Sequence, residues 1–180
     1  MKLSLVLTLA LLGAISAHQL EEGALEQEVP DDQAEEELEG PEPSCPAESK
    51  SFQVVVPSNG THTCRYVFVN SCQTFRQAQR YCARCYRGRL ASIHSHSTNE
   101  QLRCGARART NRGLVWIGAI TYRRFRRVCA RWVDRSTWNY ANWARRNPRG
   151  YFRRCVAMCT NNGRWISVTC RSRLPFICRY

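Results

Sequence analysis

Charge is distributed along this chain in a way that few folds can accommodate. Between Thr63 and Tyr180 there are 25 Arg, no Lys and two carboxylates, Glu100 and Asp134, for a net charge of +23. Between His18 and His62 there are twelve Asp and Glu against one Lys, a net of −11. A polycation of that density repels itself in any compact state, so the second half needs covalent support. Eleven cysteines are present to provide it.

The first residues indicate where those cysteines fold. Lys2, an apolar run from Leu3 to Ala14 and small residues ending at Ala17 form the pattern of a cleaved secretory signal peptide. The run falls short of the roughly 20 apolar residues that a spanning helix needs. The expected division is therefore a signal peptide over 1–17, an acidic pro-segment over 18–62 and a folded domain over 63–180, in a secreted product. In an oxidising compartment the cysteines read as a disulfide framework, and an odd number leaves at least one thiol free or bonded to another molecule. Residues 18–62 are rich in Glu and Pro and poor in aromatics, so they read as mostly disordered. Asn59-Gly60-Thr61 is a glycosylation sequon within them. Cleavage near Thr63 would free the basic domain from a segment that offsets about half its charge.

Periodicity gives the domain its outline. Tyr66-Val67-Phe68-Val69 reads as a strand. Thr74 followed by Gln77 is a capping box, opening a helix with Phe75, Ala78, Cys82 and Cys85 on one face. Ser97 followed by Glu100 reads as a second capping box, before a helix carrying Leu102 and Ala106. Beyond Gly113 come short strands at 115–117, 131–133, 156–158, 164–166 and 175–178. Two helices followed by many short strands make an α+β fold.

Cys82, then Leu90-Ala91-Ser92-Ile93, Trp116-Ile117-Gly118, Trp132-Val133-Asp134, Trp138, Trp143, Cys155, Trp165, Cys170 and Phe176-Ile177-Cys178 occur in this order. Together they resemble the C-type lectin-like domain family over residues 64–180. The resemblance implies two helices, short antiparallel strands, a long loop region and disulfides Cys82–Cys178 and Cys155–Cys170. Cys64-Arg65-Tyr66, Cys82-Ala83-Arg84-Cys85-Tyr86-Arg87-Gly88 and Leu174-Pro175-Phe176-Ile177-Cys178, behind a signal peptide and an acidic pro-segment, resemble the granule-stored basic members of that family. That narrower likeness implies a cytotoxic, antimicrobial and helminthotoxic protein that binds heparan-type glycans, held in the secretory granule of a leukocyte such as an eosinophil. Cys45, Cys64, Cys72, Cys85, Cys104, Cys129 and Cys159 remain. Cys85, on the apolar helix face, is expected to stay free and pack as a small hydrophobe. The others are open to further disulfides or to a disulfide-linked protein partner.

The sequence departs from the family's sugar-binding members at their metal site. Those carry Glu-Pro-Asn or Gln-Pro-Asp in the long loop and Trp-Asn-Asp in the following strand; this chain has Asn147-Pro148-Arg149 and Trp165-Ile166-Ser167. Calcium takes six to eight oxygens, usually including several carboxylates, so neither calcium nor any other cofactor is expected. Glu100 is assigned to its helix cap and Asp134 to a structural turn. No enzyme is expected either. Paired carboxylates for glycoside hydrolysis are absent, no histidine lies beside an acidic partner in the sequence, and Cys82 of the Cys82-x-x-Cys85 pair belongs to the fold.

The arginines are the candidate site. Guanidinium is a planar, weakly hydrated fork that grips sulfate, phosphate and carboxylate with two parallel bonds. Arg123, Arg124, Arg126 and Arg127 bracket Phe125. Arg145, Arg146, Arg149, Arg153 and Arg154, with Tyr151, Phe152 and Arg164, surround the position of the family's sugar site. Expected partners are heparin, heparan sulfate and other polyanions, anionic membrane surfaces, and nucleic acid only non-specifically.

Overall fold

The computed structural model describes Cys45 and residues 52–56, 64–149 and 154–180. Ala17, Asn59, Thr63, Tyr151, Phe152 and Arg153 lie outside the described residues, as does nearly all of 1–51. The elements in chain order are β1 (Phe52–Val56), β2 (Cys64–Gln73), α1 (Phe75–Tyr86), β3 (Arg89–Leu90), α2 (His96–Arg109), β4 (Leu114–Arg124), β5 (Arg127–Trp132), β6 (Arg154–Cys159), β7 (Trp165–Val168) and β8 (Leu174–Arg179). The strands form one sheet in the order β1-β2-β8-β4-β6-β7, with β3 on β8 and β5 on β4. All ladders are antiparallel except the single β4–β8 pairing of Trp116 with Phe176.

β4 explains how both faces are filled. Its residues from Val115 to Thr121 are all buried, the signature of a central strand covered on each side. Alternation sends Val115, Ile117 and Ala119 into a cluster with Leu102 and Ala106 of α2. Trp116 and Ile120 go into a second cluster with Phe75, Ala78, Tyr81 and Cys82 of α1. Gly118 sits where the β4–β6 register shifts. Its N–H donates to the Ala91 carbonyl at 2.8 Å and its own carbonyl accepts from Val133. A Cβ there would stand 2.3 Å from the Leu90 carbonyl oxygen, which is why the Trp-Ile-Gly triplet ends in Gly.

α1 starts as its sequence requires. Thr74 accepts from the Gln77 amide, and the Gln77 side chain accepts from the Thr74 amide. α2 differs from expectation. Its cap is Ser95, whose hydroxyl accepts from the Thr98 amide at 3.1 Å. Ser97 lies inside the helix and accepts from Gln101. Glu100 therefore caps nothing; it pairs with Arg103 at 2.8 Å, one turn along.

Three disulfides staple this frame. Cys82–Cys178 joins α1 to β8, and Cys155–Cys170 joins β6 to the turn before β8, the two pairs the resemblance implies. The third, Cys45–Cys85, corrects the expectation that Cys85 is a free core thiol. Cys82 is fully buried, whereas Cys85, three residues on, is displaced to the flank of the apolar face and only half-buried, so a thiol from outside the core can reach it. Five cysteines remain free, Cys104 exposed and Cys64, Cys72, Cys129 and Cys159 partly so. β1 lies within the stretch assigned to the acidic pro-segment and pairs with β2 from Phe52↔Phe68 to Val56↔Cys64.

Candidate polyanion interface

The long connection between β5 and β6 is held down by aromatic packing. Trp132, Trp138, Trp143 and Tyr140 gather around Trp165 with ring centroids 5.4–5.9 Å from it. The Trp165 indole N–H donates to Asn99 of α2 at 2.8 Å, and the amide groups of Asn99 and Asn142 both donate to the Gly163 carbonyl. Backbone bonds then lay the loop along β7: Trp165 N–H to the Asn142 carbonyl and Ala144 N–H to the Trp165 carbonyl. Further along, Ser167 N–H donates to Asn147 Oδ1 at 3.0 Å and Arg149 N–H donates to Ser167 Oγ at 3.1 Å. The Asn147–Pro148 peptide is cis.

This clipping brings five of the predicted arginines to one edge of the sheet. Arg164 precedes β7 and reaches the Trp143 carbonyl. Arg145 and Arg146 follow Ala144, and Arg149 stands beside Ser167. Arg154 bonds Thr169 just past the far end of β7 at 2.8 Å. Arg145, Arg146, Arg149 and Arg164 are exposed.

Arg123, Arg124, Arg126 and Arg127 are not part of that edge. They occupy the tip of the β4–β5 hairpin. Among the described residues the β4–β6 pairing ends at Thr121↔Arg154, and β4 continues paired with β5. Arg124 pairs with Arg127, leaving a two-residue loop, Phe125-Arg126. Phe125 has φ +50°, a region in which Gly is favoured at the first loop position and a bulky residue costs on the order of 1 kcal/mol or more. It is also 86% exposed. Like charges directly opposite in a ladder add further cost. Arg154, opposite Thr121, links the base of this hairpin to the β7 edge.

A third basic row adds Arg76 and Arg80 to Arg84, which with Arg87 is the alternative glycan contact in the sequence. Arg76, Arg80 and Arg84 are all exposed on α1. They are four residues apart and so rise about 6 Å each along one helix face. The i, i+4, i+8 spacing in the sequence was the signal that could have found the row. Arg76 also lies in the first turn of α1, where no acidic residue is present and the helix dipole favours negative charge.

The two carboxylates of the domain are committed to protein partners. Asp134 accepts from the Ser92 hydroxyl, from the Ser136 amide and hydroxyl, and from Arg179 at 3.3 Å. Burial pushes its carboxyl up, but the Ser136 and Ser92 bonds and the Arg179 guanidinium outweigh burial and leave it below the ordinary Asp value. A depressed folded-state value means that the stability it contributes is present above the unfolded value near 3.9 and is lost as pH falls through the lower folded one. Asp134→Asn is expected to lower stability at neutral pH by roughly 2 kcal/mol and to flatten the acid limb below about pH 4. Denaturant midpoints measured from pH 7 down to pH 2 check both. In Glu100 the Arg103 hydrogen bond holds the carboxyl low.

The Cys82-x-x-Cys85 pair is divided between two different disulfides, so it provides no dithiol. His94 faces Asn139 at 2.8 Å, with its ring edge-on to Trp132. Among the described residues no three His, Cys, Asp or Glu side chains form a metal-holding group, and no helix is long and apolar enough to cross a membrane.

Comparison with known proteins places these features. The Lectin C-type domain family matches residues 71–180. Bone marrow proteoglycan of Homo sapiens is 46% identical over 138 residues, covering 76% of this chain and 61% of its own length. Eosinophil granule major basic protein 1 of Cavia porcellus is 44% identical over 140 residues, covering 76% of this chain and 58% of its own. Human lithostathine has a similar solved structure, with a TM-score of 0.58 at 25% identity over 68% of this chain and 95% of its own. The aligned region thus spans about three-fifths of the length of the human and guinea pig relatives.

Proposed function

Because the chain belongs to the C-type lectin domain family and is similar to eosinophil granule proteins, we propose that it is a secreted, granule-stored defence protein. On this reading it grips sulfated glycans and anionic membranes directly with guanidinium groups. It works without calcium and without catalysis. The observation that carries this is the charge balance of the folded part: 25 Arg, no Lys and two carboxylates from Thr63 on, both carboxylates engaged by neighbouring side chains. Arginine without lysine favours two-pronged anion recognition on apolar or aromatic surface over plain solubility. The positions that hold calcium ligands in the family's sugar-binding members carry Asn147, Arg149 and Ser167 here. Their polar atoms bond one another, a donor set far from the carboxylate-rich oxygens calcium takes. The acidic stretch from His18 to His62, with −11 against +23, is suited to blunting the domain until cleavage near Thr63 and opening of Cys45–Cys85 together release it.

The test is elution of the purified protein from a heparin column over a salt series, with and without chelator. Counterion release predicts a steep dependence on salt and no effect of chelator. Arg153→Ala with Arg154→Ala is expected to lower the eluting salt. A larger effect from Arg84→Ala with Arg87→Ala would move the glycan site from the β7 edge to α1.

A further inference from the structure

We infer that the β4–β5 hairpin is an interfacial anchor that inserts Phe125 into the acyl boundary of an anionic phospholipid bilayer. This rests on the membrane half of the function proposed above and assigns it to one element. Three features that oppose stability meet in four consecutive residues. Phe125 is a large apolar side chain left 86% exposed. It occupies a left-handed position, φ +50°, where Gly fits without strain. The strand ends beside it oppose Arg124 to Arg127. Local rules broken together mark functional sites.

One partner resolves all three. The antiparallel register puts Tyr122, Arg124, Arg127, Cys129 and Arg131 on one face of the ribbon, since opposite residues share a face and alternate ones repeat it. Arg124 lies 5.8 Å from the Phe125 ring centroid, and Arg131 lies 5.6 Å from that of Tyr122. An aromatic tip with guanidinium groups behind it, and a second aromatic ring further down the stem, matches the layering of a bilayer surface. The ring meets the acyl boundary, and the cations meet phosphate and carboxylate headgroups. A lipid phosphate can be held by both prongs of Arg124 while its plane stays over the ring. Among the described residues β5 is the strand that pairs with β4 beyond Thr121, and on that pairing the tip can approach a flat surface. A sulfated sugar chain would use the same guanidinium groups and leave the exposed ring without a role.

Phe125→Gly provides the decisive variant, because Gly suits the left-handed position and the fold cannot be blamed for a loss. Partitioning of the purified protein onto vesicles of three parts phosphatidylcholine to one part phosphatidylserine is measured by flotation. Heparin-column elution and thermal midpoint are measured alongside. The expected result is vesicle partitioning on the order of tenfold weaker, with unchanged heparin elution and a thermal midpoint no lower than that of the natural protein. Equal partitioning of the natural and Phe125→Gly proteins would overturn the hairpin assignment and leave the membrane reading standing. Loss of heparin elution in parallel with partitioning would overturn it in favour of a glycan site at the tip. No partitioning by the natural protein, both intact and after cleavage within residues 57–63 with Cys45–Cys85 opened, would remove both the membrane reading and the hairpin assignment.

Discussion

Cys82→Ala with Cys178→Ala is expected to be the most damaging change the folded part can suffer short of deleting an element. The bridge spans 96 residues, and constraint of the unfolded chain by a loop near that size contributes about 4.7 kcal/mol. Cys155–Cys170 closes only 15 residues, for which the same argument gives about 3 kcal/mol. Both cysteines of the longer bridge are fully buried, so Ala at each position also leaves lost packing behind. A domain of marginal stability, typically 5–15 kcal/mol, has little left after that loss, and this one also carries the self-repulsion of its arginines. Guanidinium denaturation of non-reduced protein checks the ordering: the midpoint should fall further for the Cys82/Cys178 pair than for Cys155→Ala with Cys170→Ala. Equal midpoints would mean that loop length does not set the relative contributions of the two bridges.

Much of this architecture was legible because local and global signals agree at particular residues. Thr74 and Gln77 form the only capping arrangement available at the start of α1, and the apolar spacing behind them points inward in the same register. Trp116-Ile117-Gly118 reads as a central strand, and the close approach of the Leu90 carbonyl gives its Gly a steric reason. Signals failed where they competed or were drowned by their surroundings. Ser95 and Ser97 both precede the apolar positions of the second helix in the sequence. Glu100 favoured Ser97 in the sequence, but in the fold it is drawn to Arg103, and Ser95, with extended backbone at φ −150°, takes the cap. Phe52-Gln53-Val54-Val55-Val56 is a β-branched run of ordinary strand length. It was absorbed into an acidic composition that describes its neighbours rather than itself, although its partner, β2, was recognised. For the candidate site, the residue type and its grouping are visible in the sequence, while the elements that carry each group are not. Arg123–Arg127 and the arginines along β7 stand apart in the sequence as two groups, and the structure carries the first on the β4–β5 hairpin. The sequence could not expose Phe125, since an apolar residue between arginines reads equally well as a buried anchor.

Cutting the chain between Val56 and Cys64 is expected to release nothing, which bears directly on how the acidic stretch could be removed. Cys45–Cys85 joins the two sides of such a cut covalently, and β1 remains hydrogen-bonded to β2. A protease site engineered into residues 57–63 and cleaved to completion should therefore leave one species on a non-reducing gel and two on a reducing gel. Its heparin elution should move little, because the −11 of residues 18–62 stays largely attached to the +23 that follows. Mild reductant should then act on this bridge before the others. Cys45 is exposed and Cys85 half-buried, whereas Cys82 and Cys178 are fully buried and Cys155 nearly so, and access limits thiol–disulfide exchange. Once it opens, among the described residues the five-residue strand β1 is what resists dissociation. The released domain should elute at markedly higher salt, as each additional cation engaged steepens the salt dependence. Cys45→Ser with Cys85→Ser should give that shift on cleavage alone, with no reductant. Separation of the cut, oxidised natural protein into two pieces would show that the acidic stretch is held by no covalent bond, and cleavage by itself would then suffice to unmask the arginines.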